Sequence, residues 1–218
     1  MNSLRTILIA AVAAVGISGS VRAEDRYYLM MFAAQADPNV AQQSHTFALF
    51  AKVSGNQLQP KIETVPISWM PASLEIEPLR RDPVEGKNLS IADTLQWAAQ
   101  NNAKVSMWGP FQIKKGLFDM AVAQAEKLQK GRLGYVMIDG NQRGKTAYNC
   151  IHAVSDMDKT QPALNSGIAR GDEATKSVLS FFDPYILPMK GSNRWLVDRL
   201  GISPDAVRFV NPDLVAPP

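Results

Sequence analysis

"HTFALFAKVSGNQLQPKIETVPISWM", His45 to Met70, decides how this chain is read. Its opening alternates: Thr46, Ala48, Phe50 and Lys52 fall on one side, and His45, Phe47, Leu49, Ala51 and Val53 on the other. That is the period of a strand with one strongly apolar face. "SGNQLQP" is turn chemistry, and "KIETVPISWM" returns as a second strand. Pro66 lacks a backbone donor, so that return strand belongs at a sheet edge or a bulge. The stretch predicts an antiparallel hairpin that begins at His45.

Upstream, "RYYLMMFAAQ" (Arg26 to Gln35) is a near-continuous apolar run, the pattern of a buried strand, and "ADPNV" breaks it. Downstream, a short strand is expected at Leu74 to Leu79, and "RRDPVEGKN" reads as a polar loop. Ser90 caps a helix through "IADTLQWAAQNN", with Asp93 near a capping-box position. "AKVSMWGPFQI" reads as a strand broken at Gly109-Pro110. In "KKGLFDMAVAQAEKLQKG", Leu117, Met120, Ala121, Ala125 and Leu128 form a helical stripe that Gly131 stops. "GYVMID" is a short strand, "GNQRGKTAYN" a loop, and "CIHAVSDMD" starts a helix. Helices around 173–182 and 193–200 follow, then a Pro-rich tail, "SPDAVRFVNPDLVAPP", expected to be peripheral. Strands and helices do not alternate regularly, so the expected class is α+β with an antiparallel sheet packed against helices.

The first 23 residues have the form of a secretory signal peptide: Arg5 before the apolar run Ile7 to Ile17, then Val21-Arg22-Ala23 as the cleavage site. The expected mature chain, residues 24–218, is one domain, periplasmic or secreted. It loses Arg5 and Arg22 from a net charge of +3, which leaves it near neutral and argues against a nucleic-acid or polybasic membrane role. No later run is long and apolar enough for membrane insertion. Two histidines and one cysteine make a poor closed metal site, and neither "WGPF" nor "DGNQRG" is a phosphate loop. No metal and no cofactor are expected.

Cys150 is the one cysteine, in "AYNCIHAVSDMD". In an exported chain it is a buried inert residue, an intermolecular bridge, or a thiol in use. If a helix starts at Cys150, with Asn149 or Thr146 near the cap, free backbone N–H groups lie under the sulfur and favour its thiolate. His152, two positions on, points away from Cys150 and reads as an anchor. His45 is the remaining candidate base, held at the start of its strand, and it reads otherwise as a satisfied strand cap. Trp69 and Trp108 offer broad faces for a substrate groove, or else belong to the core. Arg80 and Arg81 face either an anionic substrate or solvent.

"YNCIHAV" resembles the Asn-Cys-x-His motif that opens the nucleophile helix of circularly permuted papain-like amidases and acyltransferases, relatives of lecithin:retinol acyltransferase and of bacterial cell-wall amidases. "SHTFALFAKV" is similar to their first catalytic strand, and His45 precedes Cys150 as the permuted order requires. "SHTFALF…ISWMP…VSMWGP…NCIHAVSD" also resembles a set of uncharacterised exported bacterial proteins over most of the mature chain. The resemblance implies a papain-like domain and a thiol hydrolase acting on amide bonds, with peptidoglycan peptides or an acyl compound as substrate. Cys150 would be nucleophile and His45 base, with a third residue orienting the imidazole. Ser68 is preferred for that third place, and Glu63 or Thr64 would serve in another register. Asn149, Trp69 and Trp108 would contact substrate. A serine hydroxyl stands where such enzymes carry His, Asn or Gln. The alternatives are a thiol acyltransferase and a catalytically silent binding module on the same scaffold.

Overall fold

A computed structural model describes residues 24–55, 59–131, 133–137, 147–162, 164, 169–188 and 191–210. The expected signal peptide, most of the "GNQRGKTAYN" loop and the last residues of the tail lie outside these. The chain is mixed α+β, with two sheets dominated by antiparallel pairs and five α-helices among the described residues.

The apolar run at Arg26–Gln35 forms β1, at the centre of a five-stranded sheet of order β3-β2-β1-β6-β9. β2 is His45–Ser54, β3 is Lys61–Ile67, β6 is Lys104–Ile113 and β9 is Arg208–Phe209. β2 runs antiparallel to β1 with Ala34 opposite His45, and β3 runs antiparallel to β2 with Ile67 opposite Ala48. Pro66 therefore sits on an edge strand, where its missing N–H removes no interior ladder bond.

Both faces of this sheet are covered, which is why Tyr27 to Ala34 are all buried. One face carries Leu29, Met31, Phe50 and Trp108, under α2 (Lys115–Gln129), α3 (Cys150–Ser155) and α4 (Asp172–Phe181). The other carries Met30, Phe32, Phe47 and Met107, under α1 (Ile91–Gln100) and α5 (Trp195–Arg199). No described helix is long and apolar enough to cross a membrane.

A second sheet, of order β4-β5-β7-β8, is built from short strands: β4 Trp69–Pro71, β5 Val84–Asn88, β7 Gly134–Tyr135 and β8 Ala147–Tyr148. The expected return strand through Met70 is thus split at Ser68, where the chain passes from one sheet to the other. Asn88 bridges the split. Its Oδ1 accepts from the Ser68 N–H at 2.7 Å, and its Nδ2 donates to the Pro66 carbonyl at 3.0 Å.

Four sequence expectations change. Leu74 to Leu79 is turn and coil, because Leu74 adopts a left-handed φ of 64° that ends strand geometry there. "RRDPVEGKN" contains β5, which recruits polar residues through backbone pairing with β4 and β7. β6 is continuous through Gly109-Pro110: a register irregularity between Leu29 and Met31 accommodates them, with Gly109 at φ 94° and no room for a side chain beside the Leu29 carbonyl. The tail contributes β9, parallel to β6, and is part of the sheet.

Gly86 of β5 lies flat against the Trp69 indole, and a Cβ at Gly86 would fall inside that ring. Gly86→Ala is expected to destabilise the fold by about 2 kcal/mol through overpacking, read as a lower urea midpoint with unchanged slope. An unchanged midpoint would mean that the indole moves freely.

Candidate functional site

Three elements bring polar side chains together in the interior. His45 opens β2, Ser68 occupies the split between β3 and β4, and Thr94 lies in the second turn of α1. All three are buried, with exposures of 1%, 0% and 0%. His45 Nε2 is 2.9 Å from Ser68 Oγ. Ser68 Oγ is 2.7 Å from Thr94 Oγ1, which donates to the Ser90 carbonyl at 2.7 Å. α1 holds its end in place because Ser90 caps it, accepting from the Asp93 N–H at 3.1 Å. The His45 ring is clamped by Phe47, stacked at 5.3 Å, and by Trp97, edge-on at 5.8 Å.

This clamp is dry. Burial alone drives the His45 pKa from 6.5 down to about 3, so the imidazole is neutral at any ordinary pH. Its Nδ1 is buried and has no hydrogen-bond partner among the described residues.

Cys150 is the first residue of α3, capped by Asn149, whose Oδ1 accepts from the His152 N–H at 2.8 Å. The thiol is half-buried and unpaired. β3 pairs with β2 only as far as Ala48, so among the described residues no strand covers β2 on that side at Thr46. The thiol meets the Thr46 N–H, one residue along the chain from His45, as well as its own N–H and that of Ile151. These three donors favour a thiolate, but burial acts more strongly and the Cys150 pKa is raised above 9.0. The expectation that the helix start would lower it is corrected: in this dry setting desolvation wins. Tyr135 lies close enough for the thiol to add to the upward shift that burial gives its own hydroxyl.

Of the residues singled out from sequence, His45 and Ser68 are in direct contact, and Cys150 reaches the backbone next to His45. No hydrogen bond joins the thiol to the imidazole, and neither group enters the other's pKa. Trp69 and Trp108 do not face a groove. Both are wholly buried core residues, and Trp69 Nε1 donates to the Gly134 carbonyl at 3.3 Å. Asn149 is buried as the cap of α3, and its carbonyl oxygen is committed there. Glu63 and Thr64 are exposed on β3. Arg80 lies on an exposed loop and pairs with Glu77 at 2.8 Å. His152 anchors α3, with Nδ1 3.0 Å from Asp156 Oδ1. Thr146 lies outside the described residues.

Thr94 was not singled out from sequence. The available signal was its place three residues before Trp97, on the buried stripe of α1, where an inward hydroxyl needs a partner. A cleft of about 770 Å³ lies at the same end of the sheet, between α1, β6 and β9, lined by Gln35, Leu95, Lys104, Ser106 and Arg208 among others. None of Cys150, His45 and Ser68 lines it. Among the described residues, no group of three or more His, Cys, Asp or Glu side chains could hold a metal ion.

Comparison with family models, with curated proteins and with solved structures gave no match.

Proposed function

We propose that the protein is an exported thiol hydrolase of papain-like type, acting on amide bonds with Cys150 as nucleophile, His45 as base and Ser68 as the residue that orients the imidazole. One observation carries this reading. The buried, ring-clamped His45 contacts Ser68 through Nε2 and leaves Nδ1 without a partner, and the Cys150 thiol meets the N–H of Thr46, the next residue along β2. A buried nitrogen left unpaired costs about 1–3 kcal/mol, and an apolar side chain would fill the same volume without that cost. Stability given up at one polar group is a mark of use.

The chemistry balances on these groups. Cys150 Sγ bonds to the amide carbonyl carbon as its proton passes to His45 Nδ1. The C–N bond then breaks, and the leaving amine takes that proton. Water next attacks the thioester carbon, giving one proton to Nδ1. The C–S bond breaks, and the proton returns to sulfur. The N–H groups of Thr46, Cys150 and Ile151, which face the sulfur, also suit the oxyanion of the tetrahedral intermediates. With the thiol raised and the imidazole lowered, the resting pair is neutral, so proton transfer accompanies attack rather than preceding it. Peptidoglycan peptides are the substrate class proposed, from the expected export and the resemblance to cell-wall amidases.

The test is incubation with muropeptides, followed by mass spectrometry of the products. Wild type is expected to release pairs of fragments whose masses sum to the parent plus one water, and Cys150→Ala to release none. Equal release by both would overturn the reading.

A second reading has its own support. The raised thiol and the missing thiol–imidazole hydrogen bond fit a catalytically silent binding module. In that case muropeptides would shift the urea midpoint equally in wild type and Cys150→Ala, with no fragment released.

A further inference from the structure

We propose that Thr94 is a positioning residue, which fixes through Ser68 the nitrogen of His45 that carries the proton. The inference rests on His45 as the base of the proposed hydrolase, but its own content is a proton arrangement that can be observed without turnover.

Counting protons fixes the direction of each contact. A carbonyl oxygen only accepts, and a hydroxyl has one proton to give. Thr94 Oγ1 lies 2.7 Å from the Ser90 carbonyl and spends its proton there. The contact of 2.7 Å between Ser68 Oγ and Thr94 Oγ1 must then be made by the Ser68 proton. Ser68 has none left for His45, so the 2.9 Å contact is His45 Nε2–H donating to Ser68 Oγ. The ring is neutral, and its lone pair is therefore on Nδ1, the nitrogen with no partner. The His45–Ser68 and Ser68–Thr94 contacts are buried, and the Thr94–Ser90 contact is partly so. The direction of the whole chain is set at its far end, by the backbone of the helix cap.

Ser68 alone does not set that direction. With Thr94 replaced by valine, the Ser68 hydroxyl is free to turn and donate to Nε2. That places the imidazole proton on Nδ1 and leaves no lone pair there to take a proton from a thiol. Two oxygens more than one residue away from the imidazole thus decide whether His45 is a base or a donor.

Nitrogen-15 NMR of histidine-labelled protein tests this, with the His45 signals assigned by their loss in His45→Asn. Wild type is expected to show a protonated Nε2 and a bare Nδ1. Thr94→Val is expected to shift His45 to the opposite tautomer or to a mixture, and Thr94→Ser to restore the wild-type pattern. A protonated Nδ1 in wild type overturns the inference, and so does an unchanged pattern in folded Thr94→Val. If Thr94→Val does not fold, the wild-type spectrum decides the matter together with Thr94→Ser.

Acylation of Cys150 by an aryl ester, followed by mass spectrometry, is the second readout. It is expected to slow by about tenfold or more in Thr94→Val and to recover in Thr94→Ser. A wild-type protein with the expected tautomer but no acylation would support the proton arrangement and overturn the hydrolase.

Discussion

Lowering the pH from 6.5 toward 3 removes roughly 4 kcal/mol of stability through His45 alone, and His45→Asn abolishes that loss. The sign follows from which state holds the proton. Unfolded, His45 titrates near 6.5; folded, burial holds its pKa at about 3. Between these values the unfolded chain binds one proton more than the folded one, so acid favours unfolding. The contribution is whole above 6.5 and is lost as the pH falls toward 3. Asp158 acts lower. Thr160, Gln161 and Tyr185 donate to its carboxylate and overcome the burial that opposes them, giving a pKa of about 2 against 3.8. Its share is present above 3.8 and is lost as the pH falls through about 2. Urea titrations at pH 7, 5.5 and 4 therefore read His45 with little from Asp158. Wild type should lose stability steadily across that range and His45→Asn much less. Parallel curves would mean that water reaches the imidazole.

At pH 7, iodoacetamide should label Cys150 more slowly in the folded protein than in urea, since burial raises the thiol's pKa and leaves less thiolate. The chain has one cysteine, so the bound label reports one site. Steric cover alone would slow labelling equally at every pH. Burial of the charge instead moves the midpoint of the rate–pH profile above that of the unfolded chain, and this movement is the expected result. Rapid labelling at pH 6, with a profile that rises near pH 4, would reveal a thiolate–imidazolium pair. It would contradict the order of forces described for Cys150, in which desolvation exceeds the pull of three N–H groups.

Much of the five-stranded sheet was legible because its strands carry their own signal. The run from Tyr27 to Ala34 is apolar on both faces, and the alternation from His45 to Val53 survives to its ends. Even so, alternation pointed to one strongly apolar face, whereas Ala48 and Phe50 on the other are buried as well. Ser90, Asp93 and the stripe from Leu117 to Leu128 placed α1 and α2 for the same local reason. β5 and β9 were not legible. Val84–Asn88 and Arg208–Phe209 are strands only because partners exist for their backbones, and a polar stretch does not announce a partner.

The site divides along the same line. The pairing of His45 with Ser68 followed from a hairpin, although the contact depends on a chain split that the sequence did not indicate. Trp69 and Trp108 were ambiguous by nature, since an indole suits a groove or a core, and only the surrounding layers decide. The direction of the Cys150 shift was misjudged because capping is local and burial is not. Thr94 required knowing what α1 packs against.

The most direct measurement is the single-turnover acylation of Cys150 by an aryl ester, followed by intact-mass spectrometry in wild type, His45→Asn and Cys150→Ala. One acyl group is expected on Cys150 in wild type, with a rate lower by about a hundredfold or more in His45→Asn, and no adduct in Cys150→Ala. Equal rates in wild type and His45→Asn would contradict the proposed pair, because the imidazole would then have no part in activating the thiol.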